Sequence, residues 1–566
     1  MELKLGTIIK KLRTEQGITQ EELASKIGVS YQAVSKWETN TTTPDIAILP
    51  QLALFFGVSM DALFSMNQDD YIERISKMIR DEYSITPENF VWAERYLKGL
   101  LSEEKQNNTA RTLAVMKATK TNDIKVWRIN MESIWEKSAS RVRFNALKEN
   151  QSTDVSTNVL IIGGGIAGIL CAYKLKNAGV DCMLVEATEI CGGITKNTTA
   201  KITLQHGLIY DKMIRRFGEN KARLYVEAQK NVCKEYARLC ENVDCDYETR
   251  DSYVYSLNDC KKIEKEVSAL NRIGVKVELS DAKELPFKVS RAVRVRDQAQ
   301  FHPLKFLYNI AKDLPIYEHT KVVELMPYKA KTNHGEITYK KLIIATHFPM
   351  LNKHGLYYLK LYQHRSYVLA LKNAKKVEGM YVDESDTGLS FRSYGDLLLL
   401  GGGGHRTGKQ GGCWQELEDF ARKYYKNAEI VGKWATQDCM TLDDIPYIGQ
   451  YSKPTPDVFV ATGFNKWGMT NAMVAADILC DLVQGKPNPY ADVFDPSRTV
   501  LHPQLAVNAF ESAIGLLTPT APRCPHLGCA LKYNKAEHTW DCPCHGSRFT
   551  EDGELIDNPA TDDKRM

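Results

Sequence analysis

The chain has 566 residues, 43% of them hydrophobic and 25% charged, with a formal net charge of +4. That length allows about three or four domains, and the composition is that of globular protein. So small a charge argues against a protein that coats nucleic acid or a charged membrane surface. No apolar run reaches the ~18 residues that a membrane helix needs. The opening MELKLGTIIKKLRTEQG has neither the apolar core nor the cleavage site of a secretory signal. The cytoplasm is the expected compartment. Of 14 cysteines, ten are scattered between Cys171 and Cys480 and read as free thiols, while four crowd between Cys524 and Cys544.

In chain order, the first clear helix start is Thr19-Gln20-Glu21-Glu22, a capping box in which Thr19 caps and Glu22 reaches back. Leu23, Ala24 and Ile27 then share an apolar face, and Gly28 can take the left-handed turn that ends the helix. Ser30 caps a second helix with Val34 and Trp37 inward, which leaves Tyr31, Gln32, Ser35 and Lys36 outward. This is helix-turn-helix spacing. The stretch from Leu5 to Phe64 resembles the phage-repressor-like helix-turn-helix family. The resemblance implies DNA as a partner through residues 19–40, with Gln20 on phosphate and Tyr31, Gln32, Ser35 and Lys36 toward the major groove. Residues 1–66 hold six Lys/Arg against seven Asp/Glu, so the usual basic footprint is missing. A homodimer would offset that weakness; a helical bundle with no DNA partner is the competing reading.

Residues 67–130 read as a helical segment and linker. Thr86-Pro87 starts a helix with an apolar stripe of Phe90, Ala93, Leu97, Leu100 and Leu101, and the pattern dissolves into Lys, Asn and Thr from Lys105 to Asp123.

NVLIIGGGIAGILCAYKLKNAGVDCMLVEA, Asn158 to Ala187, is a βαβ unit. Gly163, Gly165 and Gly168 fit G-x-G-x-x-G, which allows a tight turn, close approach of backbone to a pyrophosphate, and close helix packing. The helix N-terminus then faces the phosphates. Glu186 ends the next strand, about 20 residues further on, where an acid binds ribose hydroxyls. Three further stretches, GGITKNTTAKITLQHGLIY (192–210, with Gly193 and Thr195), KLIIATHFP (341–349) and VFVATGFNKWGMTNAMVAADIL (458–479, with Gly463 and Gly468), resemble D-amino-acid-oxidase-like FAD oxidoreductases. The resemblance spans residues 131–500 and implies FAD. It also brings Lys201, His206 and His347 near the flavin, each as readily structural as catalytic. LLLLGGGGHRTGKQ (397–410) mimics a P-loop through Gly403, Gly408 and Lys409, but Gln410 stands where magnesium needs Ser or Thr, so a strand and turn are expected.

Cys524-x-His526 and, 15 residues further, Cys542-x-x-His545 have Rieske spacing, with two thiolates for one iron and two imidazoles for the other. Two Cys and two His can also hold zinc. The spacing with its extra cysteines and HGS resembles Rieske [2Fe–2S] domains, and in those the leftover pair, here Cys529 and Cys544, forms a disulfide. Only residues 499–523 separate Arg498 from Cys524, so the Rieske base in residues 501–566 is shortened and its loops should pack on the flavin domain.

The expected chain is therefore multidomain. An all-α helix-turn-helix domain (1–66) comes first. An α/β Rossmann-like FAD-binding domain with a substrate-side β-sheet domain follows, and a small all-β Rieske domain ends the chain. The expected function is oxidation of a small amine-type substrate, with electrons passing between flavin and cluster and an acceptor or donor beyond. A redox-sensing transcription regulator is the alternative.

Overall fold

The computed structural model describes residues 5–42, 44, 48, 52, 55–56, 132–148, 155–351, 354–385, 388–498, 503–518 and 522–563. The segment expected over 67–130 lies outside the described residues. The chain divides into two compact units, Met1–Val126 and Trp127–Met566.

In the first unit, α1 spans Leu5–Glu15, α2 Gln20–Ile27 and α3 Tyr31–Glu38. The capping box forms in full: Thr19 accepts from the Glu22 amide at 3.2 Å, and Glu22 accepts from the Thr19 amide at 2.7 Å. Gly28 closes α2 at φ +75°, and the Ser30 hydroxyl caps α3. Leu5, Ile9, Leu23, Ala24, Ile27, Val34 and Trp37 make the core. Arg13 pairs with the buried Glu38 at 2.6 Å and ties α1 to α3.

In the second unit, β1 (Val155–Ile162), α4 (Ile166–Asn177) and β2 (Cys182–Val185) form the expected βαβ unit. β1 pairs in parallel with β2 on one side and with β3 (Gly335–Ile344) on the other. Thr455–Thr462 and Ile316–Tyr317 extend the parallel sheet at its two sides. The C-terminal ends of β1, β3 and Thr455–Thr462 and the whole of β2 are buried on both faces, which is why those stretches read as apolar runs rather than alternations. α4 packs against α5 (Gly468–Val483), and both are buried over most of their length.

A second sheet stands beside the first. Its long strand Leu361–Lys372 lies antiparallel between Leu397–Arg406 and Glu429–Thr441. The P-loop mimic is thus a strand followed by a turn, as its missing Ser/Thr implied. Gly408 in that turn has φ +76°, and a Cβ there would meet Pro543 Cα at 2.6 Å.

The last domain is a four-stranded antiparallel meander of Lys532–Asn534, Thr539–Asp541, Arg548–Thr550 and Leu555–Asp557. Ahead of it in the chain, α6 (Pro503–Leu517) occupies most of the interval between Arg498 and Cys524 that reads as a shortened base. Proline opens that helix where no amide partner is needed. Asn508 anchors it, donating to Leu359 O at 3.0 Å and accepting from Arg406 at 2.8 Å. Among the described residues no helix is long and apolar enough to cross a membrane.

Candidate functional site

One cavity of about 680 Å³ gathers most of the glycine motif residues. Gly163, Gly165, Glu186, Gly193, Thr195, Gly463 and Gly468 all line it. Gly168 does not; it lies beneath the turn, where a Cβ would stand 1.9 Å from Gly163 O. Gly163 has φ +109°, and its Cβ would meet Ala345 O at 2.6 Å, so this turn admits only glycine. Gly165 caps α4 without a side chain, which leaves the helix N-terminus open to the cavity. Thr195 Oγ1 accepts from the Ile166 amide at 3.1 Å. Glu186 accepts from the Gly164 amide at 2.7 Å and from the Thr188 amide at 2.9 Å, which fixes its carboxylate at the lip of the turn. A glycine cradle, an open helix end and an acid at the next strand end suit a dinucleotide's pyrophosphate and ribose.

Lys201, His206 and His347 also line the cavity. His206 is saturated: Nδ1 lies 2.6 Å from Tyr225 Oη, and Nε2 lies 2.9 Å from both Thr203 O and Thr470 Oγ1. Its ring stacks on Trp467, and burial pushes its pKa down to about 3. Lys201 reaches Thr199 Oγ1 at 3.1 Å, and burial with the charge of Arg392 pushes its pKa down to about 7. His347 Nε2 lies 3.1 Å from Gln363 Oε1. Motif reading had missed Asp438, which lines the same cavity, bonds Ser366 at 3.2 Å and has its pKa raised to about 6 by burial. A single acid in a long strand carries no local signal.

The cysteine-histidine loops share one backbone pattern. Cys524 donates to Cys529 O and accepts from the Gly528 amide, each at 2.9 Å. Cys542 donates to Ser547 O at 2.8 Å and accepts from the Gly546 amide at 2.9 Å. Cys524 and Cys542 are therefore equivalent residues of two matching turns, each with a histidine two or three positions on. The His526 and His545 rings lie 5.0 Å apart. Both ring nitrogens of His545 are buried without a well-formed hydrogen bond. Buried thiols beside imidazole nitrogens, with no carboxylate among them, suit an iron–sulfur cluster. The implied disulfide is a correction, since Cys529 and Cys544 are both free thiols. The Cys529 sulfur lies within 4.8 Å of the Cys542 sulfur and of a His545 nitrogen.

The helix-turn-helix residues divide. Tyr31, Gln32 and Lys36 are exposed on α3, and Ser35 is half-buried. The Gln20 side-chain amide donates to Glu38 at 2.7 Å.

The sequence profile of the FAD dependent oxidoreductase family matches residues 158–482. This chain belongs to that family. The oxidoreductase also matches the Helix-turn-helix profile over 9–63 and the Rieske [2Fe-2S] domain profile over 497–565. It is 35% identical over 492 residues to the Rieske 2Fe-2S iron-sulfur protein YhfW of Bacillus subtilis (strain 168), a match spanning 76% of this chain and 96% of that protein. To gamma-glutamylputrescine oxidoreductase of Escherichia coli (strain K12) it is 22% identical, over 63% of this chain and 89% of that one. Glycine oxidase from Geobacillus kaustophilus has the same fold, with TM-score 0.53 and 16% identity over 61% of this chain and 100% of its own. The oxidoreductase's cofactors are FAD and a [2Fe–2S] cluster.

Gly168→Ala gives a first prediction. The new Cβ must force α4 away from the turn, an overpacking that should weaken FAD binding about tenfold or more. Fluorescence titration of flavin-stripped protein measures it; an unchanged Kd would show that the turn yields without cost.

Proposed function

We propose that this oxidoreductase oxidises a small amine-type substrate with FAD and exchanges the electrons through its Rieske centre with a further acceptor or donor. The loop after β3 carries this reading. His347 lines the FAD cavity, while the next residue, Phe348, packs edge-on against His526 and His545 with ring centroids 6.3 and 6.5 Å away. The Tyr358 ring covers His545 from another side at 6.2 Å. The imidazole edge of the cluster site is thus turned toward the flavin domain, one residue from its cavity. In this reading Cys524, His526, Cys542 and His545 hold the cluster, and the glycine turn with Glu186 holds FAD. When bound, FAD supplies a two-electron acceptor and the cluster a one-electron carrier.

The cavity's own charges suit an amine. Asp438 remains largely ionised at neutral pH and can attract an alkylammonium group. Lys201, with a pKa near 7, can take the ammonium proton, and an amine must lose that proton before its α-carbon is oxidised. His206 serves packing instead, since every polar atom of its ring is engaged. The relative named for gamma-glutamylputrescine points to the same substrate class. Anaerobic mixing with a panel of primary and secondary amines tests this, with flavin absorbance as the readout. If no amine bleaches the flavin while a non-nitrogenous substrate does, the amine reading is wrong.

A second reading is favoured by one observation, the exposed Tyr31, Gln32 and Lys36 on a capped α3. We propose that the first unit binds DNA weakly and that flavin or cluster state alters the binding. Gln32→Ala should remove sequence preference before it removes all affinity, because base contacts specify and phosphate contacts only position. Gel shifts of oxidised and reduced protein on promoter fragments check both halves. Equal binding in the two states leaves a DNA-binding enzyme and removes the sensor.

A further inference from the structure

The far end of the Rieske domain touches the flavin cavity. Asp557, Asn558, Pro559, Ala560 and Thr561 line it together with Glu186 and Lys321. The segment is tied down at three points. The Asn558 amide donates to Thr346 O and, at 3.0 Å, to Phe348 O, both on the loop after β3. Lys321 donates to Thr561 O at 2.6 Å. Between them, the buried Ala560 amide donates to Ser547 Oγ at 3.0 Å, and Ser547 sits on the Cys542 turn beside Cys524. Thr320, next to Lys321, donates its amide to Glu186 O at 2.8 Å, so the Thr561 end lies at the ribose acid. The Asn558 end lies beside the cavity-lining Thr346 and His347.

We propose that residues Asp557–Thr561 are a strap contributed by the Rieske domain to the FAD site, closing the cofactor's groove from the ribose end to the His347 loop. This rests on the placement of FAD at the glycine turn and Glu186. The physical case is simple. Flavin retention then depends on hydrogen bonds between side chain and backbone made by a segment more than 350 residues from the nucleotide motif. Because the strap's middle hangs on the cluster turn, the two cofactor sites share one wall. An N-terminal piece ending before the Rieske domain should fold its parallel sheet yet hold FAD poorly.

Hydrogen–deuterium exchange on the full, cluster-loaded chain tests the strap, with FAD first stripped and then restored. FAD should slow exchange in the peptide covering 555–563 as well as in the peptides covering 163–168 and 186. Protection of the glycine-turn peptides with no change in 555–563 overturns the strap alone. No protection at the glycine turn overturns the FAD placement beneath it. As a second measurement, Asn558→Ala should raise the Kd for FAD about tenfold, the worth of a pair of ordinary hydrogen bonds, with iron per chain unchanged. An unchanged Kd counts against the strap. Should the variant shed iron too, the exchange result on the unaltered chain decides.

Discussion

Cys542→Ser is expected to abolish the cluster outright. Iron per chain should fall to background, and the visible bands of the iron–sulfur centre should vanish. Cys542 is fully buried and occupies the same position in its turn as Cys524 does in the other. A cluster assembles only on a complete set of deprotonated ligands, so a serine there cannot give partial occupancy for long. Flavin should stay, because the glycine turn, Glu186 and the Asn558 and Thr561 tethers are untouched, and only the strap's middle bond to Ser547 rests on the altered turn. An amine that bleaches FAD in the unaltered protein should still bleach it, but no reduced-cluster EPR signal should follow. The natural control is Cys529. Its sulfur lies close to those of Cys542 and to a His545 nitrogen, so proximity alone would admit it as a ligand. The matching turns exclude it, and Cys529→Ser should keep iron. The reverse outcome, iron kept by Cys542→Ser and lost by Cys529→Ser, would move the ligand set by one cysteine.

What is legible in the sequence follows from how local each signal is. The capping box at Thr19 and Glu22, the left-handed Gly28 and the glycine turn at Gly163 are short-range necessities of backbone geometry. They were therefore legible. The cysteine-histidine turns were legible for the same reason, since Pro and Gly bound each of them. Where sequence reading failed, the cause was distance. The Gln20–Glu38 bond at 2.7 Å went unread, because only the packing of α3 brings the two together. The Cys529–Cys544 pairing follows from a family pattern, but both thiols are free where the loops pack. Nothing in IDNPAT says that it will cover a nucleotide groove. Asn-Pro announces a turn, and only the fold says what the turn rests on.

Arg548→Met is expected to cost about 3–5 kcal/mol, the scale for stripping one partner from a buried ion cluster. Arg548 is 4% exposed and meets three carboxylates: Glu537 at 2.7 Å, Asp557 at 3.0 Å and Asp541 at 3.1 Å. Arg365, on the long strand of the second sheet, donates to Glu537 from its Nε at 2.9 Å, and Tyr367 joins at 2.9 Å. This cluster fastens the Rieske meander to the flavin domain. In the native protein Glu537 is held down to about 2, against 4.5 for a free side chain: its burial works against ionisation, but the two arginines and Tyr367 outweigh it. Its stabilising share is fully present above about pH 4.5 and is lost as pH falls toward 2. Without Arg548, Glu537 keeps Arg365 as its one arginine partner, and burial together with repulsion from Asp541 and Asp557 raises its pKa. The folded variant then binds more protons than its unfolded chain does. Its stability should therefore increase as pH falls from 7 to 5, where the native protein shows no such gain from Glu537. Urea unfolding at several pH values, followed by loss of the cluster's visible bands, reads the two slopes. Parallel slopes would mean that the acids are already compensated by solvent, and that shape rather than charge holds the domain in place.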